Sequence, residues 1–308
     1  MNDKQSLVSA GAGIAKRNLR YIVWFYLLNL LFAWFGASSL GAQAHKIMDH
    51  SLYSDKLLHG FDIVVLVELV NRPEFGPPRS SSAPATLFAL IFLLVSITFM
   101  PGVLLGYSSD HRISREEFFR ACGRNLWRFV RLFLMAVVVV GIVAGALYAA
   151  QDALADAADK TNYERLPFFI NLVGAVITLL ALTKLRIWFD LAQTDVVLRD
   201  QSAVRNSVAF GFRATRKNRL RLLGTYVAIS LVALAVLAAG LLLLHFIVPP
   251  SSVLGAFLVS QLTLLLLLAT RFWQRASAVA FYVKHVTEPA LEMPSAAPAI
   301  APAIAVSQ

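Results

Sequence analysis

The chain has 308 residues, 58% of them hydrophobic and only 15% charged, with a formal net charge of +10. Ordinary globular domains carry about 25% charged residues, so a mainly soluble protein is excluded, and six long apolar stretches leave no room for a large soluble enzyme. The one cysteine, Cys122, excludes an intramolecular disulfide and a cysteine-based zinc site.

In chain order, residues 1–20 form a basic N-terminal segment with Lys4, Lys16, Arg17 and Arg20. A span of about 20 apolar residues crosses the hydrocarbon as a helix, and the first candidate is 21–41. Ala42-Gln43-Ala44 resembles a signal-peptidase site, but Tyr21 to Leu40 exceeds the roughly 7–15 residues of a signal h-region. The segment is therefore read as a retained span.

An external loop, 42–83, follows. Its amphipathic stretch Ser51 to Asn71 ends at Pro73, Pro77 and Pro78, and Ile63 to Val70 is too short to span. His45, Asp55, His59 and Asp62 are weak candidate ligands for a divalent cation. Asp55, His59 and Asp62 share a helical face but match no specific metal motif. A solvated polar face accounts for them more simply, and no metal or other cofactor is expected.

The second span is 84–107, with a possible kink at Met100-Pro101-Gly102. The segment 114–128 then leads into span three, 129–150. Phe118, Cys122, Leu126 and Phe129 lie on one helical face, and Arg120, Arg124, Arg128 and Arg131 on the other. After the loop 151–166, span four covers 167–189 and ends at Lys184-Leu185-Arg186-Ile187-Trp188. Arg186 and Asp190 stand one helical turn apart, where a plain intrahelical ion pair is expected. A second amphipathic segment, 201–217, carries Val204, Val208, Phe212 and Thr215 on one face and Arg205, Arg213 and Arg216 beside them, with Lys217 closing it. Both segments have the pattern of interfacial helices, with the apolar face in the acyl boundary and the basic face toward anionic headgroups. Spans five and six are 222–248 and 252–271, and span six ends in Arg271-Phe272-Trp273. The transmembrane domain therefore covers 21–286, and the Pro/Ala-rich tail 287–308 is expected to be disordered.

Counted by alternate segments, 22 Lys and Arg fall on one side and six on the other, while the acidic residues split nine and nine. The positive-inside rule places the first side, with both termini, in the cytoplasm. Tyr21, Trp24, Tyr107, Tyr148, Trp188, Tyr226 and Trp273 read as headgroup-level anchors. A threefold pattern is also present: Arg17-Asn18, Arg124-Asn125 and Lys217-Asn218 each precede an odd-numbered span. The expected fold is all-α and polytopic, with six transmembrane helices in three hairpins.

No nucleotide-binding loop, dinucleotide fingerprint, nucleophile elbow or pair of acids within a span suggests catalysis. Nucleic acid is not expected as a partner, because the basic residues hug the membrane edges. From Trp188-Phe189-Asp190-Leu191-Ala192-Gln193-Thr194-Asp195-Val196-Val197-Leu198 and the helix-compatible stretch after it, the chain resembles a broad group of bacterial six-span membrane proteins. More distantly, it resembles the membrane domain fused to some glycerophosphodiester phosphodiesterases. The resemblance implies a bacterial inner-membrane location and no assigned activity.

The leading functional expectation is a non-enzymatic membrane protein that organises or senses lipids, anionic ones above all, or holds a membrane-protein partner. Its headgroup contacts would be Arg120, Arg124, Arg128, Arg131, Arg205, Arg213, Arg216 and Lys217. The alternative is a small transporter or export permease for an apolar or amphiphilic solute, which requires a polar-lined cavity at membrane depth.

Overall fold

Hydrocarbon offers no partner for a backbone N–H or C=O, so a segment that enters it must satisfy these groups internally, as a helix does. The computed structural model describes residues 6–48, 78–159, 165–249 and 252–287, and they are helical almost throughout, with no strand. In order these are α1 (Leu7–Arg17), α2 (Leu19–Met48), α3 (Pro78–Ser108), α4 (Arg115–Asp159), α5 (Leu166–Leu198), α6 (Val204–Lys217), α7 (Arg219–Phe246) and α8 (Val253–Tyr282). A π-helical turn, Val283–Thr287, continues α8. Six of the helices (α2, α3, α4, α5, α7 and α8) are long and apolar enough to cross a membrane. The protein is an all-α, multi-pass membrane protein.

Local sequence explains the helix starts. Ser6 caps α1 by accepting from the Ser9 N–H. Ser114 and Glu117 form a reciprocal capping box at the start of α4, at 3.1 and 2.8 Å. Ser252 caps α8 through the Gly255 N–H. The segment read as a separate interfacial helix, 114–128, is instead the first part of the 45-residue α4. By contrast α1 and α6 are distinct helices that end at Asn18 and Asn218, which share the same backbone conformation (φ −116° and −114°, both ψ 32°).

The transmembrane helices pair as α2 with α3, α4 with α5, and α7 with α8, giving the three hairpins. The second helix of each hairpin (α3, α5, α8) touches the other two, so these three form the centre of the bundle. Each basic segment docks on the end of the central helix that precedes it: the start of α4 on α3, and α6 on α5. α1, at the start of the chain, docks on α8 and closes the ring.

The core lies at the end of the bundle where these basic segments gather. Tyr21, Phe25, Leu104, Leu132, Ile187, Leu191, Leu222, Phe272 and Phe281 are all buried there. Beyond it, in the opposite half of the spans, only Gly36, Ala158, Thr178 and Gly240 are buried among the described residues. Trp34 and Phe246 there are 75% and 74% exposed. Apolar surface of this extent, on helices long enough to span the bilayer, suits contact with lipid.

Candidate functional site

At the basic end the central helices carry polar residues into the core. On α5, Asp190 is buried with a side-chain exposure of 7%. Its Oδ2 accepts a 2.8 Å hydrogen bond from the Tyr226 hydroxyl on α7. The Nε atoms of Arg186 and Arg275 lie 3.8 and 4.0 Å from its two oxygens. Beside it, Gln274 donates to Ser230 Oγ at 3.0 Å and to the Tyr226 carbonyl at 3.3 Å. One turn further along α5, Asp195 accepts a 2.7 Å bond from the Tyr282 hydroxyl, with Arg199 Nε at 3.6 Å. The Arg199 guanidinium also lies 5.4 Å from the Phe210 ring centre.

The plain intrahelical pair expected for Arg186 and Asp190 is thus part of a buried junction of three helices. Tyr107 and Tyr226, read as headgroup anchors, are each only 1% exposed. They are buried because the helices that carry them, α3 and α7, pack against α8, with Tyr107 in the cluster around Phe272 and Tyr226 beside Ala278 and Phe281, a packing no local pattern records. One local signal pointed to the junction: Asp190 sits between Ile187-Trp188-Phe189 and Leu191-Ala192. A carboxylate enclosed by apolar neighbours on a helix needs partners from elsewhere.

A second layer ties the basic segments down, and it repeats. The Trp188 indole donates to the Val208 carbonyl on α6 at 2.6 Å, and Trp273 donates to the Val8 carbonyl on α1 at 2.8 Å. Val8 and Val208 stand ten residues before Asn18 and Asn218. Gly11 and Gly211, seven before, are where α1 meets Ser277 and α6 meets the Trp188 backbone, too close for a Cβ. In the remaining unit the roles are exchanged. Phe118, seven before Asn125, fills the contact and Gly102 on α3 makes room for it. The three asparagines each donate to the carbonyl four residues back, at 3.1, 3.1 and 3.3 Å.

The basic residues expected to meet headgroups fall into two groups. On α4, Arg120 is paired with Glu116, and Arg131 lies over the Trp127 ring. Arg124 and Arg128 are 3.6 and 2.5 Å from Asp200, in the connection between α5 and α6. These last two are committed to holding that connection, so they are not unencumbered headgroup contacts. On α6, Arg205, Arg213, Arg216 and Lys217 are exposed and have no acidic partner among the described residues. The opposite face of α6 holds Val204, Ser207, Val208, Gly211 and Thr215, all buried. The expectation that this apolar face lies in the acyl boundary is corrected: it packs on α5, which supplies a better-fitting apolar surface through Trp188 and Ala192. Phe212 alone of the predicted apolar residues stays about half exposed, beside the Trp188 ring.

Asp200 has a left-handed backbone (φ 52°). The hydrogen bond from Arg128, aided by the charge of Arg124, holds its carboxyl below the usual aspartate range. A depressed carboxylate contributes stability above its unfolded value, about 3.9, and loses it as pH falls through the folded value. Asp200→Asn keeps a residue that tolerates this backbone while removing the charge. Its deficit in melting temperature is expected at pH 7 and should shrink below about pH 4. A deficit that persists unchanged in acid would mean the charge does not matter.

Asp55, His59 and Asp62 lie outside the described residues, as does 288–308 of the tail, while His45 stands near the end of α2. Among the described residues no group of three His, Cys, Asp or Glu is placed to hold a metal ion. Cys122 is buried, its sulfur 3.8 Å from the Phe99 carbonyl oxygen. Between α4 and α5, at the end away from the core, a cleft of ≈ 280 Å³ is lined by Leu154, Phe169, Ile170, Val173 and Ile177 with Gln151.

No family model matches this chain, and no curated protein or solved structure does so either.

Proposed function

We infer that this is a non-enzymatic protein of the bacterial cytoplasmic membrane, with both termini cytoplasmic, whose basic end gathers anionic lipid. The observation that carries the reading is the outer face of α6. Arg205, Arg213, Arg216 and Lys217 are exposed there without acidic partners, while the other face is clamped to α5. A helix held in this way presents its charges as a fixed array and pays little entropy on meeting headgroups. Each such charge near an anionic leaflet contributes about 1 kcal/mol. The orientation follows from the sorting of 22 of the 28 Lys and Arg to this end. The cleft between α4 and α5 is lined by apolar side chains apart from Gln151 and is not the polar-lined cavity that transport of an apolar or amphiphilic solute requires, which favours the lipid reading.

The test is reconstitution in mixed phosphatidylcholine and phosphatidylglycerol vesicles, with energy transfer from tryptophan to labelled phosphatidylglycerol. Enrichment of the anionic lipid around the protein is expected, decreasing with salt. The triple variant Arg205→Gln, Arg213→Gln, Arg216→Gln should lose most of it. Equal enrichment in the variant would refute the reading. Orientation is checked with Arg205→Cys in a Cys122→Ser background: labelling by an impermeant maleimide from outside intact cells would reverse the assigned topology.

A further inference from the structure

We propose that Arg186 and Arg275, flanking the single carboxylate of Asp190 where α5, α7 and α8 meet, form a binding site for one monoanionic phosphodiester. Two guanidinium groups face one carboxylate, so the cluster carries one surplus positive charge. The carboxylate spends its one hydrogen bond on the Tyr226 hydroxyl, at 2.8 Å. Both arginines stand off at 3.8 and 4.0 Å, beyond hydrogen-bond range. The planar forks of Arg186 and Arg275 therefore keep donors in hand, and such forks match phosphate oxygens two at a time.

Two buried polar atoms at this junction lack partners as well: Nε of Arg275 and the hydroxyl of Tyr107 on α3. The arginine side chains are 38% and 27% exposed, so the site opens to the surface. Depth points to the source of the phosphate. Arg186 follows Leu166 by 20 residues and Arg275 follows Val253 by 22. At 1.5 Å per residue both lie about 30 Å along their helices from the far end, which is the thickness of the hydrocarbon. That puts both guanidinium groups at the level of the lipid phosphates. Charge selects the class: one phosphodiester neutralises the cluster, whereas a dianionic phosphate monoester would leave a negative charge beside Asp190. The inference deepens the lipid reading above and rests on it for the lipid as source.

The experiment uses the purified full-length chain in detergent, titrated calorimetrically with dioctanoyl phosphatidylglycerol, its deacylated headgroup glycerophosphoglycerol, and dioctanoyl phosphatidic acid. Saturable binding of one phosphatidylglycerol per chain is expected, weakened about tenfold or more by Arg186→Gln, whose side chain is partly exposed. Asp190→Asn raises the cluster's charge by one and should shift the preference toward phosphatidic acid, a change that a merely structural role would not produce. Equal binding of glycerophosphoglycerol would keep the site and make its ligand a soluble phosphodiester. No saturable binding by any of the three probes, or binding indifferent to Arg186→Gln, overturns the proposal. The Arg205, Arg213, Arg216 triple variant should retain this single site. Its loss of bulk enrichment with the site intact, or the reverse, separates the two readings.

Discussion

Asp190→Ala is expected to unfold the basic end of the bundle more readily than any other single substitution at the site. The change strands the Tyr226 hydroxyl, whose hydrogen-bond partner is the carboxylate. It also leaves Arg275 beside Arg186 with no opposing charge. Leaving the buried hydroxyl without a partner costs about 1–3 kcal/mol, and the two guanidinium groups, 38% and 27% exposed, add less because water screens their charge. Asp190→Asn retains an acceptor for Tyr226 and should cost much less. Denaturant titration in mixed micelles, followed by tryptophan fluorescence, reads the difference. A variant Asp190→Ala as stable as the parent would show that water reaches the junction freely.

Gly211→Leu should release α6 from α5, and Gly11→Leu should release α1 from α8. A Cβ at Gly211 runs into the Trp188 carbonyl and the Ala192 nitrogen, and backbone cannot step aside. At Gly11 it meets the side chain and Cα of Ser277. Overpacking of this kind costs about 1–3 kcal/mol. The loss of the Trp188 to Val208 and Trp273 to Val8 hydrogen bonds adds to it. Gly13 and Gly123 provide the internal control, since a Cβ at either meets nothing within 4 Å. Gly13→Ala and Gly123→Ala should be neutral or stabilising by up to about 1 kcal/mol, through helix propensity alone. Limited proteolysis and thermal unfolding report all four. Intact docking in Gly211→Leu would mean that the seam between α5 and α6 is looser than these contacts imply.

These seams also explain why the threefold pattern was only partly legible. The repeated Arg17-Asn18, Arg124-Asn125 and Lys217-Asn218 could be read directly, because a local contact to the carbonyl four residues back depends only on local sequence. The exchange of glycine between Gly11 or Gly211 and Gly102 could not. Two surfaces in contact need one small residue between them, and either side can supply it. The same local contact does not decide whether the helix continues: α4 runs unbroken through Asn125 while the chain breaks at Asn18 and Asn218.

What the sequence determined alone is the number of membrane helices, their pairing into hairpins and the gathering of basic residues at one end. Those properties follow from hydropathy, chain connectivity and charge, each of which is carried residue by residue. Tertiary structure alone decided which charges are spent and which remain available. Arg124 and Arg128 are taken by Asp200, the apolar face of α6 by α5, and Asp190 is enclosed with Arg186, Arg275 and Tyr226. The reason is that an ion pair or a buried hydroxyl joins residues from different helices. Which helices meet at the basic end is set by the contacts of α8 with α1, α5 and α7, between residues far apart in the chain.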